Sequence, residues 1–417
     1  MFIENRQKIS KGFDIQLIIL FLVFVVIGWF SIFSSAYDPT TFSGIFNMDV
    51  PYGRQLVWIG TSILIAIVTL FIDNRFFQHY AYHIYLFFLL LLILVLFIGT
   101  EISGAKAWIK IGSFSIQPSE FMKMATALSL AKFLNEGKTG SEKRNTWLLC
   151  FVIILLPVLI ILLQKDTGSA LVYASFIILF YREGMSAQFF IWGAFIALIA
   201  ILTLYFNELY AVALLIFIFL IYFFVSKNAK KNLVRNLILL GAGIAFVFLV
   251  NVAYENIFQP HQKQRIDSLL GKTSDPKGVD FNLNQSKIAI GSGGFAGKGF
   301  LKGTQTKFNF VPEQSTDFIF CSIGEEWGFL GSLLIVSLYA YLVFRIIWLA
   351  EKHRNHFVRY YGYGIAGIFF FHFLINIGMT IGLVPIIGIP LPFISYGGSS
   401  LWAFTAMLFV FINLNDS

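Results

Sequence analysis

IQLIILFLVFVVIGWFSIF, residues 15–33, runs for nineteen residues without a charge. As a helix it would extend roughly 28 Å, close to the ~30 Å hydrocarbon core of a bilayer. Arg6, Lys8 and Lys11 precede it, as cations precede the apolar core of a signal peptide. The run is too long for that core, however, and no small-residue cleavage site follows it. It therefore reads as a retained first membrane span.

Composition extends the reading to the whole chain. Of 417 residues, 58% are hydrophobic and 12% charged, against roughly 25% charged in an ordinary soluble domain. That balance excludes a soluble globular protein, because the apolar excess must face something other than water. The hydrophobic total would furnish about twelve 20-residue spans. Runs of that kind fall at about 15–36, 55–72, 79–98, 118–135, 147–163, 167–181, 188–206, 209–226, 234–253, 317–349, 361–384 and 396–414. The expected fold is all-α: a polytopic helical membrane protein with about twelve spans in one integral-membrane domain, 1–417. Runs 147–163 and 167–181 are short and close together, so a partly re-entrant pair also fits them.

Basic residues give the orientation. Short loops on the amino-terminal side carry fifteen Lys and Arg, and the opposite short loops carry only Arg54, Lys106, Lys110 and Lys165. Both termini are therefore expected in the cytoplasm, and residues 254–316 form a large extracytoplasmic loop. The net charge of +8 follows from these loops; with no basic soluble domain, nucleic acid is not an expected partner. Cys150 and Cys321 sit within apolar runs, so no disulfide framework is expected.

Charges at membrane depth or at its rim are candidates for function. Gln117-Pro-Ser119-Glu120-Phe-Met-Lys123 opens the fourth run with Pro118 in its first turn. Glu120 and Lys123, three apart, share a helix face and can neutralise each other. Glu313-Gln-Ser-Thr316-Asp317 stands at the mouth of the tenth run, where Thr316 or Asp317 could equally act as an N-cap. Glu325 and Glu326 follow two turns deeper. Between Pro385 and Gly398 lie three prolines and three glycines, which no helix accommodates; non-helical backbone at this depth requires a protein-lined or water-filled cavity. Arg54, Lys106, Trp108, Lys110 and Lys165 place positive charge near that mouth, though interfacial anchoring explains each equally well. The glycine-rich run Gly291–Gly299 fails the phosphate-loop spacing, having Ser292 and Gly299 where Gly and Ser or Thr belong, and reads as a turning loop. His372, mid-span, is expected to hydrogen-bond a neighbouring helix, and no histidine grouping suggests a metal site.

At these segments the chain resembles the SEDS family (shape, elongation, division and sporulation) of RodA and FtsW. The resemblance rests on Trp108-Ile-Lys-Ile-Gly, Gln117-Pro-Ser-Glu-Phe, Gln164-Lys-Asp-Thr-Gly-Ser-Ala-Leu, Gln285-Ser-Lys-Ile-Ala-Ile-Gly-Ser-Gly-Gly, Pro312-Glu-Gln-Ser-Thr-Asp-Phe-Ile-Phe and Pro392-Phe-Ile-Ser-Tyr-Gly-Gly-Ser-Ser. Asn376-Ile-Gly-Met-Thr-Ile-Gly-Leu-Val-Pro is closer to the elongation type, RodA, than to the division type. The resemblance implies a SEDS-type fold of ten spans, so 209–253 is read as an inserted helical hairpin. It implies a peptidoglycan glycosyltransferase, inverting, that polymerises lipid II on the outer face of the bacterial cytoplasmic (inner) membrane during elongation. Lipid II flippase, scaffold of a class B penicillin-binding protein, and a division role are the alternatives. Implied partners are lipid II, a class B penicillin-binding protein of the penicillin-binding protein 2 type and other elongation-complex proteins.

Within that resemblance Asp317 matches the family's essential aspartate and is expected to be the general base. Arg54, Lys106 and Lys123 are expected near the diphosphate, with Glu120 holding Lys123. Trp108, Gln117, Ser119, Glu313, Thr316 and Ser395 complete the expected substrate-binding set. No protein metal site is expected; Mg2+ or Mn2+ bound through one carboxylate and substrate phosphates stays open. The chain departs from the family at Ala107, where Arg is usual, at Ser315, where His is common, and at Lys165, where Pro is common.

Overall fold

The computed structural model describes residues 12–416, apart from 39–43, 103, 113, 138–142, 227–230, 257–262, 265–266, 268–271, 273–278 and 308–309. The chain is mostly helical. It divides into two compact units, residues 1–182 with 282–417 and residues 183–281.

In the larger unit, α1 (Ile15–Ala36) starts at Asp14, whose carboxylate accepts from Leu17 N at 3.0 Å. Helix α2 (Pro51–Phe71) opens on a proline whose missing N–H costs nothing in a first turn. Helix α3 (Asn74–Ile98) is capped by Asp73 and leads into three short antiparallel strands, β1 (Thr100–Ile102), β2 (Ala105–Ile111) and β3 (Phe114–Ile116). This small sheet is a minor addition to the expected helical membrane fold. Its signal lies in Ala105-Lys-Ala-Trp-Ile-Lys-Ile, where Lys106, Trp108 and Lys110 alternate with smaller or apolar residues at the strand period of two.

Helix α4 (Pro118–Glu136) is buried along most of its length, and α5 (Lys143–Leu163) contains Pro157. The run 167–181 is not one rod: α6 (Thr167–Val172), a 3-10 turn (Tyr173–Phe176) and α7 (Ile177–Arg182) follow one another. Most of α11 (Val279–Ser292) and then α12 (Ile319–Lys352), α13 (His356–Ile381) and α14 (Gly398–Asn415) complete the unit. The smaller unit carries α8 (Ala187–Phe206), α9 (Glu208–Val225) and α10 (Leu233–Asn256), packed around Ile199, Ala211, Leu215 and Val247.

Ten helices among the described residues are long and apolar enough to cross a membrane, two fewer than the sequence runs. The differences are α4, whose Glu120, Lys123 and small polar residues lower its hydropathy because it meets protein rather than lipid, and the interrupted run 167–181.

The tenth run is interrupted as well. Within α12, Gly328 has φ 61° and ψ −153°, a region open almost only to glycine. The glycine-rich loop fills the break. Lys298 N and Gly299 N donate to the Glu325 and Glu326 carbonyls at 3.0 and 2.9 Å, while Phe329 N and Leu330 N donate to the Gly294 and Phe295 carbonyls at 2.9 and 3.2 Å. A Cβ at Gly328 would meet the Gly294 carbonyl oxygen at 2.8 Å. Gly328→Ala should therefore destabilise the fold by about 1–3 kcal/mol, read as a lower unfolding temperature of the detergent-solubilised protein; an unchanged temperature would contradict the strained break.

Candidate active site

The segment between α13 and α14 is irregular, as its prolines require. Gly382 ends α13 in the left-handed conformation, and Gly398 opens α14. Between them the backbone groups are met by side chains and by a neighbouring turn. His372 Nδ1 lies 3.1 Å from the Pro390 carbonyl, Asn376 Nδ2 donates to the Ile389 carbonyl at 2.7 Å, and the Tyr339 hydroxyl donates to the Pro392 carbonyl. Leu391 N donates to Ser395 Oγ at 2.9 Å, and Gly397 N donates to Gln55 Oε1 at 3.3 Å. Phe393, buried despite a φ of 64°, anchors the segment among Phe21, Phe369 and Phe404, with ring centroids 5.4–6.0 Å apart.

Against this segment lies the turn that carries Asp317. Glu313, at φ 55°, lets Thr316 N and Phe318 N both donate to its carbonyl at 3.1 Å, and the Thr316 hydroxyl donates to its carboxylate at 2.8 Å. Ser395 Oγ donates to the Thr316 carbonyl at 2.6 Å, Tyr396 N to the Ser315 carbonyl at 2.8 Å, and Asn376 Nδ2 to the Asp317 carbonyl at 2.8 Å. The cap position of α12 is Phe318, so Asp317 belongs to the turn before it. The Asp317 carboxylate is half-buried against the irregular backbone; a Cβ built on Gly388 would stand 3.2 Å from its Oδ2. Glu313, Thr316, Asp317 and Ser395 are thus brought together.

Glu120 and Lys123 form the expected ion pair, at 2.8 Å and with both side chains buried. Lys123 Nζ also lies 2.9 Å from His372 Nε2, so His372 does bond a neighbouring helix. Gln117 and Ser119 gather instead around Asp166, which caps α6: Gln117 Nε2 donates to Asp166 Oδ2 at 2.8 Å and the Ser119 hydroxyl at 3.4 Å. Arg54 and Lys106 are engaged with backbone. Arg54 donates to the Met48 and Asp49 carbonyls at 2.9 and 2.8 Å, and Lys106 to those of Leu96 and Phe97 at the end of α3, at 2.8 and 3.2 Å. Trp108 lies on β2 opposite Thr100.

Glu325 and Glu326 organise the loop that precedes α12. Glu325 accepts from Lys298 Nζ at 2.7 Å and from Thr304 N, Gln305 N and Thr306 N at 2.7–3.0 Å; Glu326 accepts from Leu301 N at 3.0 Å and from Ser34. Asn376 and Gln55 were missed as structural partners of the site. The signal available was an amide within an apolar helix, where an unmet polar group is costly. No group of three or more His, Cys, Asp or Glu that could hold a metal ion occurs among the described residues.

The arrangement offers a half-buried carboxylate on a braced turn, with a fully buried cation in the same unit. Removing one member of a buried ion pair leaves an uncompensated charge, costing about 3–5 kcal/mol. Glu120→Gln and Lys123→Met should each lower the unfolding temperature more than the double change does; strict additivity would mean that the two side chains do not act as a pair.

Comparison with known proteins gives the family. Residues 14–216 and 186–417 match the family FTSW_RODA_SPOVE, described as cell cycle proteins. The chain is 33% identical to the peptidoglycan glycosyltransferase RodA of Treponema pallidum, with 97% of each covered, and 32% identical to the peptidoglycan glycosyltransferase MrdB of Escherichia coli K12, covering 84% of this chain and 81% of MrdB. Among solved structures, a chain of a peptidoglycan synthase complex coordinating polymerization and crosslinking superimposes with a TM-score of 0.72 at 27% identity, covering 97% of this chain and 98% of that one. Thermus thermophilus RodA superimposes with a TM-score of 0.63 at 26% identity, with 97% of each covered. The family match over most of the chain, with relatives above 30% identical along nearly its whole length, places this multi-pass membrane protein in the FTSW_RODA_SPOVE family.

Proposed function

We propose that this protein is a peptidoglycan glycosyltransferase that joins lipid II units into glycan strands on the outer face of the bacterial cytoplasmic membrane, during elongation and with both termini cytoplasmic. The observation that carries the reading is Asp317: a carboxylate on a turn braced by Asn376 and Ser395, lying against the irregular segment at Gly388. RodA-type relatives named as peptidoglycan glycosyltransferases support the activity. The surplus of Lys and Arg in the amino-terminal-side loops supports the orientation.

In the reaction a sugar hydroxyl attacks the anomeric carbon of a lipid-linked chain. A new C–O bond forms, the bond to the diphosphate breaks, and the diphosphate leaves with its electron pair. Asp317 accepts the hydroxyl proton as the nucleophile attacks. Cationic side chains at the mouth stabilise the departing diphosphate, and the buried Glu120–Lys123 pair supports the framework beneath. Attack from the face opposite the leaving group inverts the anomeric carbon, and a stable anionic leaving group needs no second carboxylate. Mg2+ or Mn2+ would arrive with the diphosphate and use one carboxylate at the mouth.

The class of partner follows from the product, since uncrosslinked glycan requires a transpeptidase. A class B penicillin-binding protein fits, and the likeness to a chain of a polymerizing and crosslinking complex supports it. The test is polymerisation of purified lipid II by the full chain with its transpeptidase partner. Asp317→Asn should lower the rate by about 10²–10⁴-fold, the range of a general base, at an unchanged unfolding temperature. Undiminished glycan synthesis by the variant would overturn the assignment.

A further inference from the structure

We propose that His372 is a positioning residue for the reaction, setting where the irregular segment stands relative to Asp317 by holding Lys123 on one ring nitrogen and the Pro390 carbonyl on the other. The inference rests on the glycosyltransferase reading.

His372 is fully buried in α13. Its Nδ1 faces the Pro390 carbonyl at 3.1 Å, and a carbonyl can only accept; Nδ1 therefore carries the ring proton. Its Nε2 faces Lys123 Nζ at 2.9 Å, and an ammonium can only donate; Nε2 therefore presents its lone pair. The two neighbours demand one neutral tautomer, with no second arrangement that satisfies both. Lys123 in turn spends its donors on Glu120 Oε1 at 2.8 Å and on His372, with its ammonium 5.5 Å from the Phe404 ring centroid. Without the imidazole, a fully buried ammonium would lose a charge-assisted hydrogen bond, among the stronger kind available in a protein interior.

The consequence for the site comes from the helix period. His372 and Asn376 are four apart and share a face of α13. They hold consecutive carbonyls of the irregular segment, Pro390 by His372 and Ile389 by Asn376. The same Asn376 amide holds the Asp317 carbonyl, and Gly388, one residue further along the segment, lies against the Asp317 carboxylate. One continuous path of side-chain contacts thus runs from Glu120 through Lys123, His372, the 388–390 backbone and Asn376 to Asp317. A histidine that only filled space would show neither the paired donor and acceptor nor the fixed relation to the aspartate turn.

Two amides separate these roles. Gln in place of His372 supplies an acceptor long enough for Lys123 and a donor for the segment. Asn, one methylene shorter, can reach the Pro390 carbonyl but not the ammonium. Asn also leaves a larger gap, so packing alone predicts a lower unfolding temperature for His372→Asn, whereas the positioning role predicts a loss of kcat at an unchanged KM. The experiment is steady-state polymerisation of lipid II by the full chain with its transpeptidase partner, comparing wild type, His372→Gln and His372→Asn, with unfolding temperatures measured alongside. The expected result is a kcat about tenfold lower for His372→Asn with KM for lipid II within about twofold of wild type, and a kcat within about threefold of wild type for His372→Gln. Equal kcat values for the two variants, whether both intact or both impaired, would overturn the positioning role. A wild-type protein that makes no glycan under these conditions would instead overturn the glycosyltransferase reading, so the two failures are distinct.

Discussion

Inside a bilayer a backbone that leaves the helix must find its hydrogen bonds in the protein, because no water is there to supply them. The segment from Leu383 to Gly397 is where that constraint acts most strongly. Its prolines forbid a helix, and its carbonyls at Ile389, Pro390 and Pro392 are met by Asn376, His372 and Tyr339 from α13 and α12. These partners do more than satisfy it. Asn376 is shared with the Asp317 turn, and His372 with the buried cation Lys123. The requirement that makes the segment expensive is the same one that gathers the polar residues into a site.

The glycine-rich loop before α12 follows the same logic with a different donor set. Gly328 breaks α12, and the glycine-rich run 293–299 supplies backbone partners on both sides of the break. Glu325 then receives three backbone N–H groups and the Lys298 ammonium, so its buried carboxylate has its hydrogen bonds met within the protein. Two adjacent acids that look anomalous in an apolar run are the fasteners of a loop.

Several features were legible from residue order. The apolar runs marked the helices, Pro118 marked the start of α4, and the spacing of Glu120 and Lys123 marked their pairing. Asp317 is legible as a carboxylate where loop becomes helix, which an N-cap explains as well, and only the family resemblance singles it out. The strands between α3 and α4 carried a period-two signal in 105–111 that is easily lost between long helices. Lys106 illustrates the limit: a cation at the outer end of a span reads as a ligand for anions, but the same three donors serve the last carbonyls of a helix, here those of Leu96 and Phe97.

The sequence by itself determined that the chain lives in a membrane, which runs form its helices, where those helices must break and which few charges lie near the breaks. These are local properties, set by hydropathy over about twenty residues and by the stereochemistry of Pro and Gly. The tertiary structure alone decided what the charges and amides touch. Lys123 and His372 are 249 positions apart, and Asn376 and Asp317 are 59 apart; no periodicity reaches across such distances. Their meeting follows from how α4, α12 and α13 pack, and packing is chosen by the whole set of buried surfaces at once.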